Sequence, residues 1–240
     1  MEKDFNSTEI NKLTLEVISK GIYKETAQFG FSTQDYIKLV NQLLDLTMKE
    51  KLNNNHSPSA VIQTAQIEKE INLPLIGKNI NVRSFSEKKD KEIVAKWVSD
   101  EKGRLFLLSR LTAKEHNLDE LLNNKNNTFG IITLKDDTPI GLLAFLDYDK
   151  VNNKAELRKL LGEREFRGKG YAKEATKMWI EYGITKLKLR KIYLHTIDTN
   201  IANIRLNKDL GFKIEGILRK ECLIDGEYHD VLRMALIVEE

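Results

Sequence analysis

The chain of 240 residues has one cysteine, Cys222, and four histidines, His56, His116, His195 and His229. One cysteine makes no internal disulfide and no cysteine-only metal cluster. No two histidines sit at metal-ligand spacing, so no metal is expected. Long apolar runs are missing as well: none approaches the roughly 18 residues that a membrane span requires. The opening MEKDFNSTEINKL lacks the basic, then apolar, then small-residue order of a signal peptide. The expectation is a cytoplasmic protein with no membrane partner. A large charge of one sign is also absent. The net charge of +3 is too small to argue for nucleic acid.

What is there suits an ordinary globular protein. Hydrophobic residues make up 41% of the chain and charged residues of both signs 31%. Residues 1–72 hold 8 Lys, no Arg and 10 acidic residues, whereas the remainder holds 31 basic and 26 acidic residues. The larger part is therefore mildly basic, which favours a polyanionic ligand by long-range attraction.

The clearest break in character is KLNNNHSPSA, residues 51–60, rich in turn-forming residues. Before it, residues 8–30 and 32–52 read as amphipathic helices. In the second, Tyr36, Leu39, Val40, Leu43, Leu44 and Leu46 recur at helical spacing. Ser32 and Asp35 form a capping-box pattern at its start. Residues 59–71 have a third helical pattern. The expected organisation is a helical N-terminal domain over 1–72 and a second domain over 73–240.

From Asn79 onward alternating and helical patterns interleave. NINVRSF reads as a strand, followed by a helix from near Ser86 and another over 112–124 with Thr112 and Glu115 as its capping box. TFGIITL and IGLLAFLDY read as a hairpin, KAELRKLLG as a strand, AKEATKMWIEYGITKL as a helix, and KIYLHTI as a strand. IANIRLNKDL reads as a helix, and a hairpin turning at Asp225-Gly226 closes the chain. The predicted fold class is α/β (α+β): a mixed sheet flanked by helices.

The strongest chemical signal is LLGEREFRGKGYAKEA, residues 160–175. A strand enters a turn with Gly168 and Gly170, and a helix begins at once. Backbone N–H groups of such a turn, at the positive end of a helix dipole, bind phosphate oxygens. Arg167 and Lys169 add charge there. A nucleoside-triphosphate loop needs Lys then Ser or Thr, yet Tyr171 and Ala172 follow Gly170. A Rossmann site needs a third glycine and an acidic residue about 20 positions on, where Lys191 and Ile192 stand. A plain glycine-rich turn is the third reading.

Two further stretches, DTNIANIRLNKDLGF at 198–212 and DGEYHDVLRMAL at 225–236, lie downstream in order. Together the three motifs resemble the GNAT acetyltransferase superfamily, and within it the RimJ/RimL-like branch. That branch includes ribosomal-protein, spermidine and amino-sugar-nucleotide acetyltransferases. The resemblance covers roughly 79–238. It implies a mostly antiparallel GNAT-type sheet and acetyl-CoA as co-substrate. It places the CoA pyrophosphate on the amides of Arg167, Gly168, Lys169, Gly170, Tyr171 and Ala172. The pantetheine arm would pair with the strand at Leu160, Leu161 and Gly162. Asn200 matches the family's cofactor-side asparagine, and Asn203 stands where Ala or Ser is usual. Many members place a tyrosine further along that helix as general acid for the departing thiolate. Here Asn207 occupies that place, and a carboxamide supplies no proton near neutral pH.

The implied reaction is direct attack of a primary amine on the thioester. Glu156, on the central strand, is the candidate base, and Tyr228 (with Asp230) the candidate lining of the acceptor cleft. His195 alternates with Leu194 on a strand, which leaves a structural or a catalytic reading open. Cys222 reads as a packed small hydrophobe. The acceptor is expected to be a small-molecule amine, an amino-sugar nucleotide or a peptide N-terminus. The N-terminal helices would pack on the second domain or on another subunit, giving a homodimer. A non-catalytic acyl-CoA-binding module joined to a helical interaction domain is the alternative.

Overall fold

The computed structural model describes residues 12–52, 71–99, 118–197, 201–224 and 226–238. The chain divides into two compact units, residues 1–57 and 58–240. The expected third helix over 59–71, apart from Ile71, lies outside the described residues, as do Thr112, Glu115, Asn200 and Asp225.

The first unit contains α1 (Lys12–Ala27) and α2 (Thr33–Leu52). Gly30, at φ 71°, makes the left-handed step of the turn between them. The capping box is in place: the Ser32 backbone N–H donates to Asp35 Oδ2 at 3.0 Å, and the Asp35 N–H to Ser32 Oγ at 3.4 Å. The Ser32 hydroxyl and amide and the Lys38 ammonium hold the Asp35 carboxyl down at about 2. Stacked Tyr23 and Tyr36, 5.8 Å apart, and the Thr26–Tyr36 hydroxyl pair at 2.8 Å join the helices near the turn.

The second unit is built on one sheet of eight strands, in the order β1-β2-β3-β4-β5-β6-β8-β7. These are β1 (Leu75–Ile76), β2 (Asn81–Ser84), β3 (Thr128–Thr133), β4 (Pro139–Asp149), β5 (Lys154–Leu161), β6 (Lys191–Ile197), β7 (Lys213–Ile224) and β8 (Glu227–Ile237). Every neighbouring pair is antiparallel except β5 and β6. The helices are α3 (Glu87–Ser99), α4 (Leu118–Asn123), α5 (Tyr171–Thr185) and α6 (Ile201–Asp209). The two-residue strand β1 is too short to leave an alternation pattern.

Helices cover both faces of the sheet centre, which is why β4 is apolar along most of its length rather than alternating. On one face, Val94 and Trp97 of α3 and Leu121 of α4 pack on Phe129, Ile131, Leu142, Ala144, Leu146 and Leu160. On the other, Trp179 of α5 stacks on Phe145 with centroids 5.4 Å apart. A Cβ on Gly183 would lie 2.5 Å from the Phe145 ring, so the helix sits this close only with glycine there. The entry to α3 is fixed by a buried carboxylate. Asp90 takes both Arg83 guanidinium nitrogens at 2.8 Å and the Ser86 N–H at 2.8 Å.

Candidate active site

β5 and β6 pair over three positions only: Lys154 with Lys191, Ala155 with Ile192 and Glu156 with Tyr193. Beyond that point β5 stays with β4 as far as Leu161, while β6 stays with β8 as far as Ile197. The strands therefore part, and a wedge opens in the middle of the sheet. Among the described residues no strand pairs with the edge of β5 beyond Glu156. Such an edge offers N–H and C=O groups to an extended, amide-bearing ligand.

Side chains of alternate residues share a face. Glu156, Arg158 and Leu160 therefore face the α3 and α4 side, with Tyr193 and His195 beside them on β6. At the apex of the wedge Glu156 is 2% exposed and Arg158 4%. Arg158 Nη2 lies 2.6 Å from Glu156 Oε1, and His195 Nδ1 lies 2.6 Å from the same oxygen. Arg158 also donates to the His195 carbonyl at 3.4 Å, spanning the gap. Tyr193 meets His195 edge-on, and its ring carries the Arg233 guanidinium at 4.4 Å. Arg233 and Lys191 in turn share Glu215. Sequence reasoning took Glu156 alone and missed Arg158. The signal was available: Glu156 and Arg158 share one face of β5, and His195 alternates along the neighbouring strand.

On the opposite face, Lys159 Nζ donates to Asn207 Oδ1 of α6. Burial, with the Arg158 charge second, pushes the Lys159 ammonium down to about 7. Asn203, half-buried, donates to Thr196 Oγ1 at 3.1 Å.

The glycine turn lies at the wide end of the wedge. Gly168 and Gly170 have φ of 78° and 83°, and Gly170 caps α5 in the left-handed conformation. A Cβ at either would meet open space, so these glycines serve the backbone conformation and leave the turn's outer surface clear. Tyr171 and Ala172 open α5, with their amides in its first turn. The Arg167 guanidinium donates to the carbonyls of Leu161 at 3.0 Å and Gly162 at 3.2 Å, and so fastens the turn to the end of β5. Lys169 Nζ lies 5.3 Å above the Phe166 ring.

The Leu160 side chain belongs to the core under α3. The Gly162 N–H already donates to the Ile140 carbonyl at 3.0 Å, and a Cβ there would strike the Trp97 ring at 2.3 Å. Tyr228 is 66% exposed near the β7–β8 turn, three residues before the last β6–β8 pair at Val231. The structure does not bring it to the Glu156 cluster. Asp230 accepts the Lys220 N–H at 2.8 Å, bracing an irregular stretch of β7. Cys222 is buried against Val231. No group of three or more metal-ligating side chains occurs among the described residues, and no helix among them is long and apolar enough to cross a membrane.

Comparison with known proteins agrees with this geometry. The chain is similar to the spermidine N(1)-acetyltransferase of Escherichia coli (strain K12), 35% identical over 101 residues, covering 42% of this chain and 54% of that protein. It is also similar to the uncharacterized N-acetyltransferase p20 of Bacillus licheniformis, 35% identical over 122 residues, covering 51% of this chain and 68% of that protein. The match thus spans about half the length of the first of these relatives. Among solved structures, spermidine N-acetyltransferase from Vibrio cholerae in complex with CoA and spermine shares the fold. Its TM-score is 0.58 at 23% identity, covering 66% of this chain and 95% of that one. Residues 79–213 match the family described as acetyltransferase (GNAT) domain, more than half of the chain. The chain belongs to the GNAT acetyltransferase-domain family.

Proposed function

We propose that the protein transfers an acetyl group from acetyl-CoA to a primary amine, with both bound together, in the cytoplasm. The observation that carries this reading is the wedge between β5 and β6, with a glycine turn at its wide end and a buried Glu156–His195–Arg158 cluster at its apex. The chain's groups fit acetyl-CoA. The turn from Arg167 to Ala172 would hold the pyrophosphate on backbone amides, at the positive end of α5. The open edge of β5 would pair with the pantetheine arm. Bound there, acetyl-CoA supplies the acyl group as a thioester.

The apex cluster would then manage the proton of the acceptor. With Nδ1 against a carboxylate, the His195 ring carries its hydrogen on Nδ1, leaving Nε2 to accept one. An alkylammonium titrates near ~10, so near neutral pH the acceptor must lose a proton before its nitrogen can attack. His195 Nε2 would take that proton, and Glu156, neutralised by Arg158, would orient the ring. Glu156 is thus a positioning residue in this scheme.

The names of several relatives point to a polyamine acceptor. Yet Glu156 and Glu215, the two carboxylates of the apex cluster, are both paired with cations. The proposal therefore commits to a primary amine within the RimJ/RimL-like branch. A thiol-release assay with acetyl-CoA and spermidine, an amino-sugar nucleotide and a short peptide tests it, with the products weighed by mass spectrometry. Acetylation of one of them is the expected result. No release with any amine, together with unaltered melting in millimolar acetyl-CoA, overturns the reading.

A further inference from the structure

The wedge has a second polar pair, on the face away from the Glu156 cluster. Lys159 lies three residues past the last β5–β6 pair, towards the glycine turn. Asn207 lies on α6, the helix that follows β6. Their hydrogen bond therefore ties β5 to the helix after β6 on the α5 and α6 side, while Glu156 and His195 join the two strands on the other. Lysine only donates, so the Asn207 oxygen must face it and the amide nitrogen must point elsewhere. That nitrogen is buried and, among the described residues, has no partner, in a side chain with no exposed surface. The pair thus brings an ammonium and, one atom away on the same carboxamide, an unsatisfied donor to this side of the wedge, and both suit an electron-rich atom.

Resting on the acetyl-transfer reading above, we propose that Lys159, held by Asn207, gives its proton to the sulfur leaving the thioester. The amine nitrogen forms a bond to the carbonyl carbon as the carbon–sulfur bond breaks. The electron pair of that bond stays on sulfur and takes a proton from Lys159 Nζ, so free CoA leaves as the thiol. His195 Nε2 passes the ammonium's first proton to solvent before attack and, as the amide forms, takes the second proton that the nitrogen sheds. Neutral Lys159 regains a proton from solvent, and protonated His195 releases one, before the next cycle.

Proton donation is most effective from an acid that titrates near the working pH, at or below the thiol it serves. An ordinary lysine titrates near ~10.4 and a thiol near ~8.5, so an unperturbed ammonium would transfer its proton uphill. Burial at the wedge brings Lys159 to about 7, and transfer runs downhill. The groups that surround it fit this role. Arg158 precedes it on β5, and Leu143 stands opposite on β4. α6 contributes Asn207, then Lys208 and Asp209, with Asp209 paired to Lys173 of α5 at 2.8 Å. The Tyr193 and His195 side chains of β6 lie on the other face.

Lys159→Met and Lys159→Arg in the full chain separate proton donation from charge. Two readouts are taken. One is kcat against pH, with the amine that the wild type acetylates. The other is titration of CoA bound without acetyl group, followed by thiolate absorbance in the ultraviolet. Wild-type kcat should fall as pH rises past the Lys159 titration. The Met variant should lose about a hundredfold in kcat, with KM for acetyl-CoA little changed and that alkaline fall gone. Its bound thiol should titrate higher than in the wild type. The Arg variant should keep the low thiol titration yet remain slow, since guanidinium does not give up a proton in this range. Full kcat in the Met variant, or an unmoved thiol titration in a variant that still melts cooperatively, overturns the assignment. A wild type that acetylates no amine overturns the acetyl-transfer reading itself, and the role of Lys159 with it.

Discussion

His195, two residues past the last pair that β5 and β6 share, sets its Nδ1 2.6 Å from Oε1 of Glu156, the β5 member of that pair. The parallel register Glu156 to Tyr193 determines this meeting. It puts alternate residues of β6 on the Glu156 face, where the strands have begun to part. His195→Gln tests the meeting best, because it leaves the buried Glu156–Arg158 ion pair intact. kcat near neutral pH should fall by about 10²–10⁴-fold. The defect should shrink as pH approaches the acceptor's own titration, where more amine is already neutral. Glu156→Gln should act in the same direction without adding to the His195 defect in the double variant, as expected for two residues acting as a unit. It also takes away the carboxylate that faces buried Arg158, so its melting temperature should drop where that of His195→Gln barely moves. A full-rate His195→Gln enzyme at neutral pH would remove the pair from the mechanism.

The glycine turn is testable without disturbing the fold. Gly170 has φ of 83°, and nothing lies within 4 Å of the Cβ it lacks. Asparagine accepts this conformation better than other residues, so Gly170→Asn should fold with little strain. Its side chain would nonetheless stand where a phosphate oxygen must reach the backbone amides. The dissociation constant for acetyl-CoA should rise at least tenfold, read by calorimetry, while melting without ligand changes little. Unchanged affinity would show that the turn is only a turn.

Much of this was legible in the sequence, and the parts that were not share a cause. β5, the turn and α5 leave strong local signals: alternation in KAELRKLL, two glycines, then helical spacing. Glu156 was legible because its strand was. Its partnership with His195 was not, since 39 residues separate them and only the parallel register brings them together. Lys159 escaped notice for the opposite reason. A lysine on a strand reads as solvent-facing, and the helix that covers it comes from after the next strand. Tyr228 was chosen by its place in the last hairpin, but the hairpin extends past the end of β6, and that residue lies at its exposed end.

The Arg83–Asp90 pair gives a prediction about stability alone. Asp90 is 1% exposed and holds Arg83 and the Ser86 amide together at the start of α3. The Asp90 hydrogen bonds raise the Arg83 titration further. Asp90→Ala leaves a partly buried guanidinium without its main partner and should cost about 3–5 kcal/mol. Denaturant unfolding should show this as a lower midpoint with unchanged slope. Acetyl transfer per folded molecule should stay the same, because the pair lies outside the wedge.

The N-terminal helices supply the last prediction, together with the proposed boundary at residue 72. α1 and α2 form a hairpin whose described contacts cluster near the turn. Ile18, Phe29 and Leu46 remain 53%, 79% and 58% exposed. Two short helices bury little apolar surface between themselves and are marginal alone in water. Apolar stripes of this kind are covered most economically by a second copy of the same hairpin, which would make the protein a homodimer. A chain beginning at Leu73 should then run as a smaller species in light scattering than the full chain. It should still acetylate small amines, because the wedge, the turn, the Glu156–His195 pair and the Lys159–Asn207 pair lie between residues 154 and 209. Replacing Leu43 and Leu46 by Glu in the full chain should reproduce the change in mass without any truncation. If both altered chains keep the mass per particle of the parent, the helices do not hold copies together. If the shortened chain also loses acetylation of the native acceptor while keeping that of small amines, the hairpin instead shapes the acceptor site.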